Sequence, residues 1–155
     1  MNIFELKEKI IDFVEIEYTI EIPFELISSN NGFKEYNRIV REQVLDLTGI
    51  YIWENFDTGN ILYIGMAGKV NQQGNLVNHS VRKRLQASRK KDEVTNRDIQ
   101  TNEYIYNLMV QENCFQLNIY VIHLTNGQMP GYIEAVLINA FYQANNCLPL
   151  YNNAF

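Results

Sequence analysis

The eight residues Leu117–Leu124 (LNIYVIHL) are β-branched, aromatic or otherwise apolar on both faces of the strand they predict. Such a strand is expected to be well covered, which demands packing elements elsewhere in the chain. Ile3, Leu6, Ile10 and Phe13 recur at three- and four-residue intervals, predicting an amphipathic helix over roughly Asn2 to Val14. Phe33, Tyr36, Val40, Val44 and Leu47 form a second stripe that runs up to Gly49. Pro130 suits the first position of a helix holding Ile133, Val136, Leu137, Ala140 and Phe141. Two more helices are expected, one capped by Ser80 and covering the basic stretch that follows, the other from about Asp98 to Glu112. Glu15–Ile22 alternates strictly, with Ile16, Tyr18, Ile20 and Ile22 on one face and carboxylates on the other, which reads as a half-buried strand with a solvated side. Gly49–Glu54 and Ile61–Ile64 are apolar runs joined by a glycine-containing loop, the pattern of an antiparallel hairpin. A long polar loop, Ala67 to His79, comes after it.

With 155 residues, 46% of them hydrophobic, the chain can bury one core, and a single domain over residues 1–155 is expected. No apolar run approaches the ~20 residues of a membrane span. The N-terminal stretch mixes acids and bases where a signal peptide would be apolar, so a cytoplasmic protein without a membrane partner is expected. Cys114 and Cys147 are far apart and too few for a zinc site, and both are read as reduced and structural. The formal charge of −5 argues against indiscriminate nucleic-acid binding through the whole surface. That acidity is unevenly placed: residues 1–60 carry twelve acids and five bases, net −7, whereas residues 61–155 carry six acids and eight bases, net +2. Arg82, Lys83, Arg84, Arg89, Lys90 and Lys91 form the densest positive cluster.

Tyr51 closes Gly49-Ile50-Tyr51 and Tyr63 opens Tyr63-Ile64-Gly65, with eleven residues between the tyrosines. Lys83-Arg84-Leu85, then Glu134 in Ile-Glu-Ala-Val-Leu-Ile, then Asn152 in Leu-Pro-Leu-Tyr-Asn follow in order. In these five positions, across residues 49 to 152, the chain resembles the GIY-YIG nuclease family. The resemblance implies an α+β fold, a small antiparallel three-stranded sheet flanked by helices over residues 49–155. Residues 1–48, outside the resemblance, read as a helix/strand/helix extension. It also implies an endonuclease that hydrolyses DNA phosphodiesters with one Mg2+, Mn2+ substituting.

The residue types suit that chemistry. Phosphodiester cleavage needs a deprotonated water, neutralisation of charge on phosphorus and stabilisation of the leaving oxygen. By the resemblance, Tyr51 is the general base and Tyr63 orients water or phosphate, roles that are exchangeable. Either phenol needs a nearby cation to lower a pKa that starts at about 10. Arg84 offers phosphate a planar fork that stays charged. Glu134 shares a helical stripe with Leu137, Ile138 and Phe141, which places its carboxylate near the interior, where a metal is a suitable partner. Gly65 belongs to the motif, and Asn152 is expected to brace the site by hydrogen bonds. Lys69 stands in for the family's lysine, since Met66 directly follows Gly65. Ser88 occupies the position where the family often has histidine, so the chain either does without it or borrows His79, and His123 reads as a hydrogen-bonded structural residue. Arg82, Lys83, Arg89, Lys90 and Lys91 are the expected nucleic-acid contacts. The polar loop from Val70 to Asn78 either reads base edges or sugar, or is an inert insertion. A homodimer would let two sites cut two strands. The alternative, from another class, is a nucleic-acid-binding or interaction module on the same fold without useful catalysis.

Overall fold

The computed structural model describes residues 1–77 and 80–153. Asn78 and His79 fall outside the described residues. The apolar run identified first becomes β8 (Gln116–Leu124), and its two-sided apolarity follows from its position. It lies between β1 (Val14–Pro23) and β2 (Gly49–Asn55), and β3 (Asn60–Ala67) completes a four-stranded antiparallel sheet ordered β1-β8-β2-β3. Three strands are expected from the resemblance; the sheet has four. The strand assigned to an N-terminal extension pairs along the whole of β8, from Val14 opposite Leu124 to Pro23 opposite Gln116.

Strand alternation sends β2 side chains to two separate layers. Ile50 and Ile52 join Ile64 and Ile122 against α1 (Ile3–Glu8) and α6 (Pro130–Asn145), through Ile3, Leu6, Ile10, Ile133, Leu137 and Ile138. Tyr51 and Trp53 face the other way. There Tyr36 and Val40 of α3 (Gly32–Gln43), Val81 and Leu85 of α4 (Val81–Gln86), and Ile105 and Leu108 of α5 (Thr101–Gln111) cover them. A short helix α2 (Phe24–Ile27) follows Pro23. The result is an α+β fold with helices on both faces of an antiparallel sheet.

Several boundaries differ from the sequence reading. The first helix ends at Glu8 and gives way to a 3-10 turn, Ile11–Phe13, because β1 begins at Val14; its start is a capping box between Asn2 and Glu5. The second stripe is helical only to Gln43, and Leu47 beyond it is exposed. The polar loop after β3 contains a small hairpin, β4 (Lys69–Val70) with β5 (Leu76–Val77). Most consequential is the basic stretch. Its helix, α4, stops at Gln86, and Arg89, Lys90 and Lys91 lie on a strand, β6 (Ser88–Lys91), paired with β7 (Asp98–Gln100). The Ala87 carbonyl accepts from both the Thr101 N–H (3.0 Å) and the Thr101 hydroxyl (2.8 Å), which ties the end of α4 to the start of α5. The helix expected near Asp98 therefore begins at Thr101.

Candidate active site

Both tripeptides have a local packing reason. A Cβ at Gly49 would sit 2.2 Å from the Ile122 carbonyl oxygen, so this start of β2 approaches β8 too closely for a side chain. A Cβ at Gly65 would lie 2.5 Å from Cε1 of Tyr63 and 2.8 Å from Cζ of Tyr51. Gly65 is the register partner of Tyr51, and Tyr63 that of Trp53, so the two tyrosines are diagonal neighbours on one face of the β2–β3 hairpin. Their ring centroids are 5.9 Å apart. The space a side chain at Gly65 would take is filled by their rings.

Tyr51 is wholly buried, and Tyr63 is half-buried beside a cavity of about 280 Å³ that is also lined by Arg84, Arg89, Lys90, Tyr104 and Tyr151. Arg84 is exposed on α4 at this cavity. Arg89 reaches inward from β6. Its Nη1 donates to the Tyr51 hydroxyl at 3.1 Å, and its guanidinium carbon lies 4.3 Å from the Tyr63 ring centroid, 4.7 Å from Trp53 and 5.7 Å from Tyr104. Burial opposes the Arg89 charge, but the Tyr51 and Tyr63 phenols favour it, and its pKa is raised. Burial also pushes the Tyr63 phenol up to about 12, with Tyr51 adding to the rise and Arg89 working against it. Tyr63 therefore keeps its proton across the neutral range.

Glu134, on α6, is half-buried. Burial raises its pKa, while the Arg84 charge and a hydrogen bond from the Met66 N–H pull it back, and the Glu134 charge is in turn felt at Tyr63. Among the described residues no three His, Cys, Asp or Glu side chains come together as a metal cage. The donor set is one carboxylate whose ionised form burial disfavours, so a neighbouring cation would relieve it. That fits Mg2+, which holds few protein ligands and takes the rest as water or phosphate oxygens.

Of the remaining expected residues, Asn152 and Lys90 also line the cavity and the others lie away from it. Asn152 uses its whole amide on the outer edge of β3: Nδ2 donates to the Ile64 carbonyl (2.8 Å) and Oδ1 accepts from the Ile64 N–H (2.9 Å). The adjacent Tyr151 N–H donates to Leu62, so the C-terminal segment extends the sheet beside Tyr63. Lys69 is exposed on β4 and does not line the cavity. The Ser88 hydroxyl accepts from Gln100 and is likewise away from it. The basic stretch divides. Arg82 donates to the Val44 carbonyl at 2.6 Å, Lys91 pairs with Asp98 at 3.2 Å, Lys83 is exposed, and Lys90 lines the cavity with its ammonium 5.8 Å from the Tyr104 centroid. His123 Nδ1 bonds the Thr48 carbonyl and its Nε2 bonds the Tyr18 hydroxyl. The Leu45 N–H donates to the Tyr18 hydroxyl, and with both ring nitrogens partnered His123 is a hydrogen-bonded structural residue.

Sequence reasoning missed Trp53, Tyr104 and Tyr151. Trp53 could have been found, since it stands two residues after Tyr51 and so shares its strand face. Tyr104 and Tyr151 carry no such signal, because their arrival depends on how α5 and the C-terminal segment pack. No protein-family model, curated protein or solved structure matches this chain.

Proposed function

We propose that the chain is a metal-dependent endonuclease of the GIY-YIG kind that hydrolyses DNA phosphodiesters. One observation carries this reading: Tyr63, Arg84 and Arg89 line one cavity, Tyr51 touches Arg89 behind it, and Glu134 exerts its charge on Tyr63 and Arg84. Side chains from β3, α4 and β6 line this cavity, Tyr51 of β2 stands behind Arg89, and Glu134 of α6, outside the lining, is within electrostatic reach of Tyr63 and Arg84. In this reading β8, β2 and β3 are the nuclease sheet and β1 is an addition to it.

Glu134 would hold the Mg2+, which when bound would supply charge neutralisation at the phosphate and a more acidic water. Arg84, exposed at the cavity, takes the non-bridging phosphate oxygens through its fork. Water in the cavity meets Tyr63 first, and Tyr63, which keeps its proton, orients it. Tyr51, whose oxygen accepts a hydrogen bond from Arg89, takes the general-base role that the resemblance implies. Substitutions of Glu134 and Arg84 to alanine are expected to abolish nicking of supercoiled plasmid in Mg2+ or Mn2+ while leaving the circular dichroism spectrum unchanged. EDTA is expected to do the same to the parent. Cleavage that survives Glu134→Ala sinks the mechanism.

A second reading, a DNA-binding module without turnover, is favoured by one feature: Tyr51 has no exposed surface. Tight binding of DNA with no products after long incubation supports that reading, and metal-dependent turnover dismisses it. Branched, linear and single-stranded substrates added to the same assay separate shape selection from sequence selection. Cuts in both strands at one position would point to action by a homodimer.

A further inference from the structure

The basic stretch was read as one cationic surface, but one of its members is built differently. In the β6–β7 pair Ser88 stands opposite Gln100 and Lys90 opposite Ile99, so the register shifts by one and Arg89 is the extra residue of a bulge. Bulges re-aim side chains. This one turns Arg89 away from the solvent-facing run of Ser88, Lys90 and Lys91 and into the tyrosine layer. Its guanidinium lies near the rings of Tyr63 and Trp53 and bonds the Tyr51 hydroxyl at its edge. A planar, delocalised cation can do both at once; a lysine ammonium, being a compact point charge, cannot cover two rings while reaching the phenol.

A phosphate contact needs its donors free and its side chain at the surface. Arg89 is half-buried at the cavity with its Nη1 engaged by the Tyr51 hydroxyl, and turning the fork outward to a phosphate would forfeit its contacts with the Tyr63 and Trp53 rings. Its fixed charge sits against the Tyr63 ring and the Tyr51 hydroxyl, and it is the one basic side chain of the stretch placed to hold both. Resting on the nuclease reading above, we infer that Arg89 is a positioning residue: it locks the Tyr51 oxygen in place and supplies a permanent positive charge beside the tyrosine pair, acting on turnover and not on DNA affinity.

The test compares the parent chain with Arg89→Met and Arg89→Lys on supercoiled plasmid in Mg2+. It measures kcat and KM for each, the emission of Trp53, which is the chain's one tryptophan, and the thermal midpoint. Arg89→Met should lose about 100-fold or more in kcat, the size of effect seen when one preorganised electrostatic partner is removed, with KM held within about threefold. Trp53 emission should change as the cation leaves its ring. Arg89→Lys should recover part of kcat, because the charge returns without the fork. A raised KM with kcat retained in Arg89→Met overturns the inference in favour of a phosphate contact. A kcat that falls only as far as the fold is lost, with Arg89→Lys no better, overturns it in favour of a packing role. If the parent cuts and Arg89→Met cuts equally well, this inference alone fails. If the parent cuts no DNA in either metal, the nuclease reading fails and takes the inference with it.

Discussion

Gly65 and Glu134 are two single residues whose environments set opposite demands. Gly65 is required by geometry, since any side chain there meets the Tyr51 and Tyr63 rings. Glu134 is disfavoured by its surroundings: burial raises its pKa, and neither the Arg84 charge nor the Met66 N–H fully offsets this. The sign of the stability effect follows from linkage. A carboxyl with a folded pKa above its unfolded value binds its proton more tightly when folded, so the native state loses stability as pH rises from the unfolded pKa through the folded one. Glu134→Gln removes that cost. Its thermal midpoint is expected to exceed the parent's at pH 7, the gap closing as pH falls below the ordinary carboxylate range. A parent that outlasts Glu134→Gln at pH 7 without metal would show that the carboxylate is stabilising. The residue types were legible in the sequence, including the helical stripe that takes Glu134 inward. The reason for Gly65 was not, because it lies in ring positions set by strand register.

At the level of elements, the exposed edge of β3 is closed by a side chain. Asn152 offers Ile64 the donor and acceptor that a neighbouring strand would have offered, and the Tyr151 N–H donates to the Leu62 carbonyl. Asn152→Ala leaves the N–H and C=O of buried Ile64 without these partners, at a cost of about 1–3 kcal/mol each where water cannot replace them. A urea midpoint lowered by that order, with activity reduced because Tyr63 precedes Ile64, is the expected result; an unchanged midpoint would assign Asn152 to the chemistry instead. The bracing task of Asn152 was anticipated from the resemblance, its partner was not. The basic stretch shows the opposite case. Ser80 as a cap points to one helix over the basic stretch, and the N-terminal half conforms, with Ser80 accepting from the Lys83 N–H. What ends α4 is Thr101, 14 residues beyond Ala87 in sequence, whose hydroxyl takes the Ala87 carbonyl. Local patterning contains no trace of a partner that distant.

For the whole molecule, the main revision concerns residues 1–48. They are integral to the sheet and the layer behind it: β1 covers one edge of β8, and Ile3, Leu6, Ile10, Ile20 and Ile22 are all buried. Five such side chains, at about 1.5–3 kcal/mol each, represent as much as the 5–15 kcal/mol that holds a typical domain folded. A chain lacking residues 1–23 is therefore expected to lose cooperative unfolding and to aggregate through the uncovered edge of β8. A sharp melting transition in that truncation would show β1 to be dispensable. Among the described residues no helix is long and apolar enough to cross a membrane. The sequence by itself determined the elements whose signals are local: the alternation of β1, the covered strand β8, the hairpin of β2 and β3, the proline-started α6, and the two glycine–tyrosine motifs. Tertiary structure alone decided that β1 is a fourth strand, that Arg89 and not Arg84 bonds Tyr51, and that Trp53, Tyr104 and Tyr151 wall the site. The physical reason is range: periodicity and capping act over a few residues and are written in neighbours, whereas sheet order and the aromatic wall arise from contacts between segments tens of residues apart, and the bulge at Arg89 from the pairing of Ser88 with Gln100 across an intervening loop.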